Sequence, residues 1–193
     1  MTSAEDIERQ VRGFRDGDRA AAEQLAWRAC RLALQTAMAV LGSREEAADV
    51  AQDVAVDVLR SLERLREPQA FDAWVHRIAV RRTMQAARRR RAARVSELPL
   101  GQVGEADQPA AEDSTAGLES RRALATSLAE LPPKQRLALA LRYVHDLSEA
   151  QIAEVLGCRP GTAASLLSRG RAALRRHPEL ADLAPLATQG GDS

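Results

Sequence analysis

The sequence predicts an all-α protein built as two small helical domains joined by an acidic flexible linker, and three observations carry that expectation. Apolar residues recur at spacings of three and four along several stretches, and most of these stretches begin or end on a capping residue. The apolar content of 45% is mostly Ala, Leu and Val, with two Phe, two Trp and one Tyr, so the cores are expected to be thin helix-helix seams rather than aromatic clusters. From Val95 to Glu119 the chain carries Glu97, Glu105, Asp107, Glu112, Asp113 and Glu119 with no Lys or Arg, together with Pro99, Pro109 and three glycines. Such a segment reads as a tether rather than a packed element. The predicted division is therefore a first domain over 1–94, a linker over 95–119, a second domain over 120–177 and a flexible tail over 178–193.

In chain order, Ile7, Val11 and Phe14 make a short helix or arm that ends near Asp18. From Arg19 to Leu41 a longer helix is expected, with Trp27, Cys30, Leu34, Met38 and Leu41 on its apolar stripe and Gly42 closing it. Ser43 with Glu46 has the spacing of a capping box. The helix it opens carries Ala47, Val50, Val54, Val58, Leu62 and Leu65 on one face and Glu45, Asp49, Gln52, Asp53 and Asp57 on the others. Pro68 excludes the residue before it from helical geometry, so a loop is expected from Arg66 to Ala70. A third helix begins near Phe71 with Trp74, Val75 and Ile78 and then turns basic. No acidic residue occurs from Ala73 to Ser96, while Arg77, Arg81, Arg82, Arg88, Arg89, Arg90, Arg91 and Arg94 crowd together. Arginines at that density repel one another unless phosphates neutralise them, although a solvated basic helix end has the same composition.

Beyond the linker, Arg122 to Leu131 and Gln135 to Tyr143 read as two bracing helices split by Pro132 and Pro133. Ser148 with Gln151 is a second capping box, Ile152, Val155 and Leu156 form the apolar side of the helix it opens, and Gly157 supplies the left-handed residue that ends it. Pro160 then stands at the first position of another helix. Along that helix Ala163, Leu167, Gly170 and Leu174 share one face, leaving Ala164, Ser165, Ser168 and Arg169 nearer the other. Two helices, a tight turn and a presented second helix make a helix-turn-helix, the geometry that sets side chains in a DNA major groove.

The stretch "LPPKQRLALALRYVHDLSEAQIAEVLGCRPGTAASLLSRGRAAL" resembles region 4 of extracytoplasmic-function (ECF) sigma factors of the sigma-70 family, with Leu131, Pro132, Arg136, Leu147, Ser148, Ile152, Ala153, Gly157, Gly161, Thr162, Ser165, Arg169 and Arg171 matching in place. Likewise "SREEAADVAQDV" followed by "EPQAFDAWVHRIAVRR" resembles region 2 of the same family. The resemblance implies a transcription initiation factor whose partners are core RNA polymerase, promoter DNA and an anti-sigma factor. It implies that Asp49, Gln52 and Asp53 dock on the clamp helices of the polymerase largest subunit. It further implies that Arg66, Arg77, Arg81 and Arg82 handle the −10 element as its strands part, and that Arg159, Thr162, Ala164, Ser165, Ser168 and Arg169 face −35 DNA. An acidic linker fits the family's RNA-exit path, which is positively lined; a generic tether has the same composition. Two positions depart from the family pattern. Arg81 stands where the family has asparagine, and the recognition helix reads Thr162, Ala163, Ala164, Ser165, Leu166 where Thr-Val-Lys/Arg-Ser-Arg is usual.

Other function classes find little support. Cys30 and Cys158 lie far apart outside any metal-ligand spacing, so no disulfide framework, metal or cofactor is expected, and Cys30 reads as a core residue. His76, His145 and His177 are scattered and no phosphate-cradling glycine loop occurs, so no catalytic residue is assigned and an enzyme is not expected. The polar start "MTSAEDIERQVRG" and the lack of a membrane-length apolar run point to a cytoplasmic protein with no membrane insertion. Two alternatives stay open: a sigma-like protein that binds polymerase or a regulator without reading −35 DNA, for which the neutral Ala164 and Leu166 argue, and a plain helix-turn-helix repressor.

Overall fold

The computed structural model describes residues 4–96 and 115–176. Its elements are α1 (Ala4–Arg15), α2 (Arg19–Leu41), α3 (Arg44–Ser61), two 3-10 turns (Leu62–Arg64 and Pro68–Ala70), α4 (Phe71–Ser96), α5 (Thr115–Glu130), α6 (Pro133–Tyr143), α7 (Glu149–Leu156) and α8 (Pro160–Leu174). Among the described residues there is no strand.

The first half is a helical bundle in which α2 packs along α3 and α4, with α1 laid against α2. Asp18 starts α2 by accepting from the Ala20 N–H at 2.8 Å, and Gly42 ends it at φ 70° with its N–H on the Met38 carbonyl. The expected stripe of α3 is buried throughout, from Ala47 through Val50, Val54 and Val58 to Leu62 and Leu65. Phe71, Val75, Ile78 and Ala79 of α4 complete the core. Arg28 ties α2 to the start of α4 through two hydrogen bonds to Asp72, of which Nε–Oδ1 is 2.6 Å, and that bond raises the Arg28 pKa against the opposing effect of burial. Arg15 anchors α1 by donating to the Leu65 carbonyl.

The register of α2 differs from the expected one. Leu25, Ala29, Ala33 and Ala37 line the core, whereas Trp27 is 75% exposed and Cys30, Leu34 and Met38 pack at its edge. Small alanines let α2 lie close to its neighbours, and in a helix this rich in Ala, Leu and Met apolar residues occur on every side, so spacing alone does not fix the buried phase. The Ser43 box is also half made. Ser43 accepts from the Glu46 N–H, but the Glu46 carboxylate pairs with Arg90 of α4 at 3.0 Å. Helix α4 runs to Ser96 and α5 begins at Thr115. The remaining linker residues and the tail from 178 lie outside the described residues.

In the second half α6, α7 and α8 pack around Leu137, Leu141, Ile152, Ala163 and Leu167. Gly170 lets α8 approach α6: a Cβ there would stand 3.0 Å from Leu139 Cδ1. The two halves touch. Helix α6 packs on α2 and α7 packs on α4, and Val40 of α2 with Val80 of α4 is buried in the same cluster as Leu137 and Ile152.

Candidate nucleic-acid and polymerase interfaces

The acidic surface of α3 follows from its buried stripe. With Val50, Val54 and Val58 turned inward, Asp49, Gln52 and Asp53 are all exposed along the outer side. Asp57, one turn further on, is turned toward α4 instead and accepts from Arg82 Nε at 2.7 Å. The outer side of α3 is thus an electronegative strip suited to a basic protein surface.

The arginines expected to act together are placed in three different settings. Arg66 is exposed in the loop between the two 3-10 turns, and Arg81 is exposed on α4. Arg82 is a brace: it pairs with Asp57 and lies 3.6 Å from Asp53, and the hydrogen bond to Asp57 is the main reason its pKa is raised. Arg77 pairs with Glu154 of α7 at 2.5 Å, across the boundary between the two halves. Further along α4, Arg88, Arg89 and Arg91 are exposed, while Arg90 is held by Glu46 and by the Leu41 carbonyl. The free basic surface of the described helix is therefore Arg81 with Arg88, Arg89 and Arg91, plus Arg66 from the loop.

The helix-turn-helix forms as its sequence dictates. Ser148 accepts from the Gln151 N–H at 3.3 Å while the Gln151 side chain takes the Ser148 N–H at 2.8 Å, the complete box. Gly157 stands at φ 63°, Pro160 opens α8, and Ala163, Leu167 and Gly170 face inward. Arg159, Thr162, Ser168 and Arg169 are exposed, while Ala164 and Ser165 are half-buried beside them. Arg169 is folded along the helix, its Nη2 donating to Ser165 Oγ at 2.7 Å. Leu166 packs against the core of the domain, so its apolar character has a structural reason that spacing did not reveal.

Several residues that bring the halves together were not legible in the sequence. His145, in the loop after α6, makes a 3.0 Å hydrogen bond between Nε2 and Thr36 Oγ1 of α2. Its ring meets His76 of α4 edge-on, with centroids 4.4 Å apart and planes at 63°. Histidines scattered in sequence are thus neighbours in space. Burial pushes His145 down to about 4, with the charge of His76 adding and Asp72 opposing, and burial likewise lowers His76. Among the described residues no group of His, Cys, Asp or Glu is placed to hold a metal ion, and no helix is long and apolar enough to cross a membrane.

Comparison with known proteins matches both halves. The family model described as Sigma-70 region 2 matches residues 27–93, and that described as Sigma-70, region 4 matches residues 121–174. The chain is 34% identical over 160 residues to the ECF RNA polymerase sigma factor SigM of Mycobacterium tuberculosis, covering 83% of this chain and 78% of that protein. It is 29% identical over 152 residues to the ECF RNA polymerase sigma factor SigW of Bacillus subtilis, covering 75% and 80%. Among solved structures, CnrH in complex with the cytosolic domain of CnrY aligns with a TM-score of 0.62 at 22% identity, covering 92% of this chain and 96% of that one. The sigma factor RpoE in complex with the anti-sigma factor NepR from Bartonella quintana aligns with the same TM-score and identity, covering 84% and 97%. At that identity these two structures speak to the fold alone.

Proposed function

The chain belongs to the ECF sigma factors of the sigma-70 family, and from that premise we propose how its surfaces divide the work of transcription initiation. It is an RNA polymerase sigma factor that directs core polymerase to a subset of promoters. The exposed strip of Asp49, Gln52 and Asp53 on α3 is the surface for core polymerase. Arg66 and Arg81 handle the −10 strands, with Arg77 joining them once it is freed from Glu154, while Arg82 holds α4 against α3 so that they are correctly placed. The helix-turn-helix presents Arg159, Thr162, Ala164, Ser165, Ser168 and Arg169 to −35 DNA. The domain division is 1–94 and 120–177, the protein works in the cytoplasm, and it is not an enzyme.

The observation that carries this reading is the segregation of charge: an outward acidic strip on α3 stands beside an arginine-bearing α4 in which most acidic neighbours are already used to brace the bundle. A surface that keeps its arginines available suits phosphates, and an outward carboxylate strip suits a basic protein partner. An anti-sigma factor is a further partner, since RpoE, of the same fold, is held by NepR. The deciding experiment is run-off transcription with purified core polymerase on genomic fragments selected by the holoenzyme. Specific transcripts that depend on the added chain are expected; their absence, with polymerase still bound, would favour the second reading. That reading, a polymerase-binding protein without −35 recognition, is favoured by one observation: α8 offers neutral Ala164 where a cation is usual, and its Arg169 is occupied by Ser165.

A further inference from the structure

Arg66 stands in a short loop, residues 65–70, whose backbone hydrogen bonds lie at its two ends. At the first end the Leu65 side chain is buried and its N–H closes a turn on the Leu62 carbonyl at 3.0 Å. At the second end the Ala70 N–H closes a turn on the Glu67 carbonyl at 3.0 Å, and the Phe71 N–H reaches the Pro68 carbonyl. Between them Arg66 and Glu67 are exposed, and Pro68 has no N–H to donate. Leu65 itself is extended, with φ −72° and ψ 107°, so its carbonyl turns away from the 3-10 turn that precedes it. The partner that this carbonyl finds is Arg15, whose Nη2 donates to it at 2.6 Å from the end of α1.

That bond reaches further than one oxygen. The Leu65 carbonyl belongs to the same planar unit as the nitrogen and Cα of Arg66. A guanidinium held on the oxygen by a charge-assisted bond therefore restrains the rotation of that plane, and with it the direction in which the Arg66 side chain leaves the loop. Without it the plane is free to turn through ψ of Leu65 and φ of Arg66, the two soft angles on either side.

Arg15 stands on a backbone firm enough to do this. Ile7 and Val11 of α1 are buried, Phe14 packs at the edge of the same core, and α1 touches both α2 and the turn Pro68–Ala70. Just past Arg15, the Gly17 N–H bonds to the Phe14 carbonyl at 3.0 Å and the Asp18 N–H to the Gly13 carbonyl at 2.8 Å. These bonds fasten the end of α1 to the start of α2.

We propose that Arg15 is a positioning residue for −10 recognition: through the Leu65 carbonyl it sets the direction of Arg66 toward the unpaired promoter strand, so that α1 is a working part of the −10 surface. The proposal rests on the reading of Arg66 as a −10 residue and adds to it a residue that itself touches no DNA. A looser loop still brings an arginine to the phosphates, but without a fixed approach to a base. The loss then falls on discrimination as well as on affinity.

The test uses the full-length chain in holoenzyme with core polymerase. Arg15→Met keeps the aliphatic stem and the helix propensity and removes the donor, whereas Arg15→Lys keeps a charged donor on a stem of similar length. Open-complex formation, read by permanganate footprinting well below the melting temperature, should fall about ten-fold for Arg15→Met on the selected promoter and about three-fold or less for Arg15→Lys. On promoters with single −10 substitutions the loss should be smaller, which flattens the preference for the native sequence. In an Arg66→Ala background, Arg15→Met should change neither opening nor the salt dependence of promoter binding, because residues that act through one contact do not add. A phosphate contact of Arg15's own would lower the salt slope further. Core polymerase affinity should be the same for all variants. Normal opening and selectivity by Arg15→Met, or a loss that multiplies with that of Arg66→Ala, overturns the proposal and leaves Arg15 as a partner for a backbone carbonyl. Normal opening by Arg66→Ala alone would overturn the −10 assignment of the loop and this proposal with it, so the two failures are separable. If Arg15→Met loses helicity by circular dichroism, Arg15→Gln takes its place under the same criteria.

Discussion

Arg82 and Asp57 join α4 to α3 through a hydrogen bond of 2.7 Å from Nε and an ion pair of 2.6 Å from Nη2, a two-pronged grip on one carboxylate oxygen. Both side chains are mostly shielded, at 29% and 22% exposure, so the pair is more than a surface contact. Arg82→Ala is expected to destabilise the protein by about 1–2 kcal/mol, lowering the melting temperature by several degrees. Arg81→Ala, on the exposed side of the same helix, should leave the melting temperature within error and impair promoter opening. Permanganate footprinting of the holoenzyme together with differential scanning fluorimetry separates the two; equal loss of opening without any change in stability would return Arg82 to the DNA.

Charge reversal on α3 should weaken polymerase binding. Asp49→Lys is the cleaner variant, because Asp53 lies near Arg82 and its reversal would also disturb the brace. With helicity intact, Asp49→Lys should lower the affinity for core polymerase in a pull-down by roughly 5–30-fold, the 1–2 kcal/mol expected of a well-placed interfacial charge. Unchanged binding would move the polymerase surface off α3.

Acid should open the interface between the halves. His145 and His76 both have pKa values below the ordinary histidine value in the closed form, His145 at about 4. The groups facing them are Asp72 and Arg28, with the Arg77 and Glu154 pair nearby. A histidine lowered on closing binds its proton better when open. Contact between the halves is therefore fully favoured above about pH 6.5, and the contribution of His145 is lost as pH falls from there toward 4, with His76 acting in the same direction. The radius of gyration should increase between pH 7 and pH 5, and His145→Gln should remove much of that dependence. A radius that is flat with pH in wild type would leave the histidines as passive filling.

The recognition helix can be tested by restoring a cation. Ala164→Arg should tighten holoenzyme binding to its promoter and steepen the salt dependence by about one unit, through one more phosphate contact. The gain should vanish when the −35 sequence is moved out of register. If scrambling that sequence changes neither protein, α8 does not read DNA.

Gly170 sets how closely α8 lies on α6. A methyl group there would meet Leu139 at 3.0–3.2 Å, so Gly170→Ala should overpack the seam and destabilise the chain by about 1–3 kcal/mol. Leu139→Ala in the same chain should recover part of the loss, and thermal melts of the single and double variants measure it.

Much of this architecture was legible where backbone chemistry is local. Gly42, Ser148, Gln151, Gly157 and Pro160 mark helix ends through hydrogen bonds and dihedral angles that involve only near neighbours, and the observed ends fall on them. The stripe of α3 was equally clear because polar residues fill its other faces. Trp27 was misplaced for the opposite reason: in α2 apolar residues stand on the exposed side as well as the buried one, and only packing decides which side is inside. The pairings of Arg77 with Glu154, Glu46 with Arg90 and His145 with Thr36 join residues distant in sequence, and no short-range pattern encodes them.

The contact between Arg77 and Glu154 joins parts of one polypeptide, which changes how it responds to its surroundings. Dilution cannot loosen it, because each domain meets the other at an effective concentration fixed by the intervening chain, on the order of millimolar for short tethers. Anything that parts the two halves must overcome that constant internal contact at every expression level of the protein. Once parted, the halves of each molecule meet again by a first-order step, so the time they take is the same at any concentration of the protein.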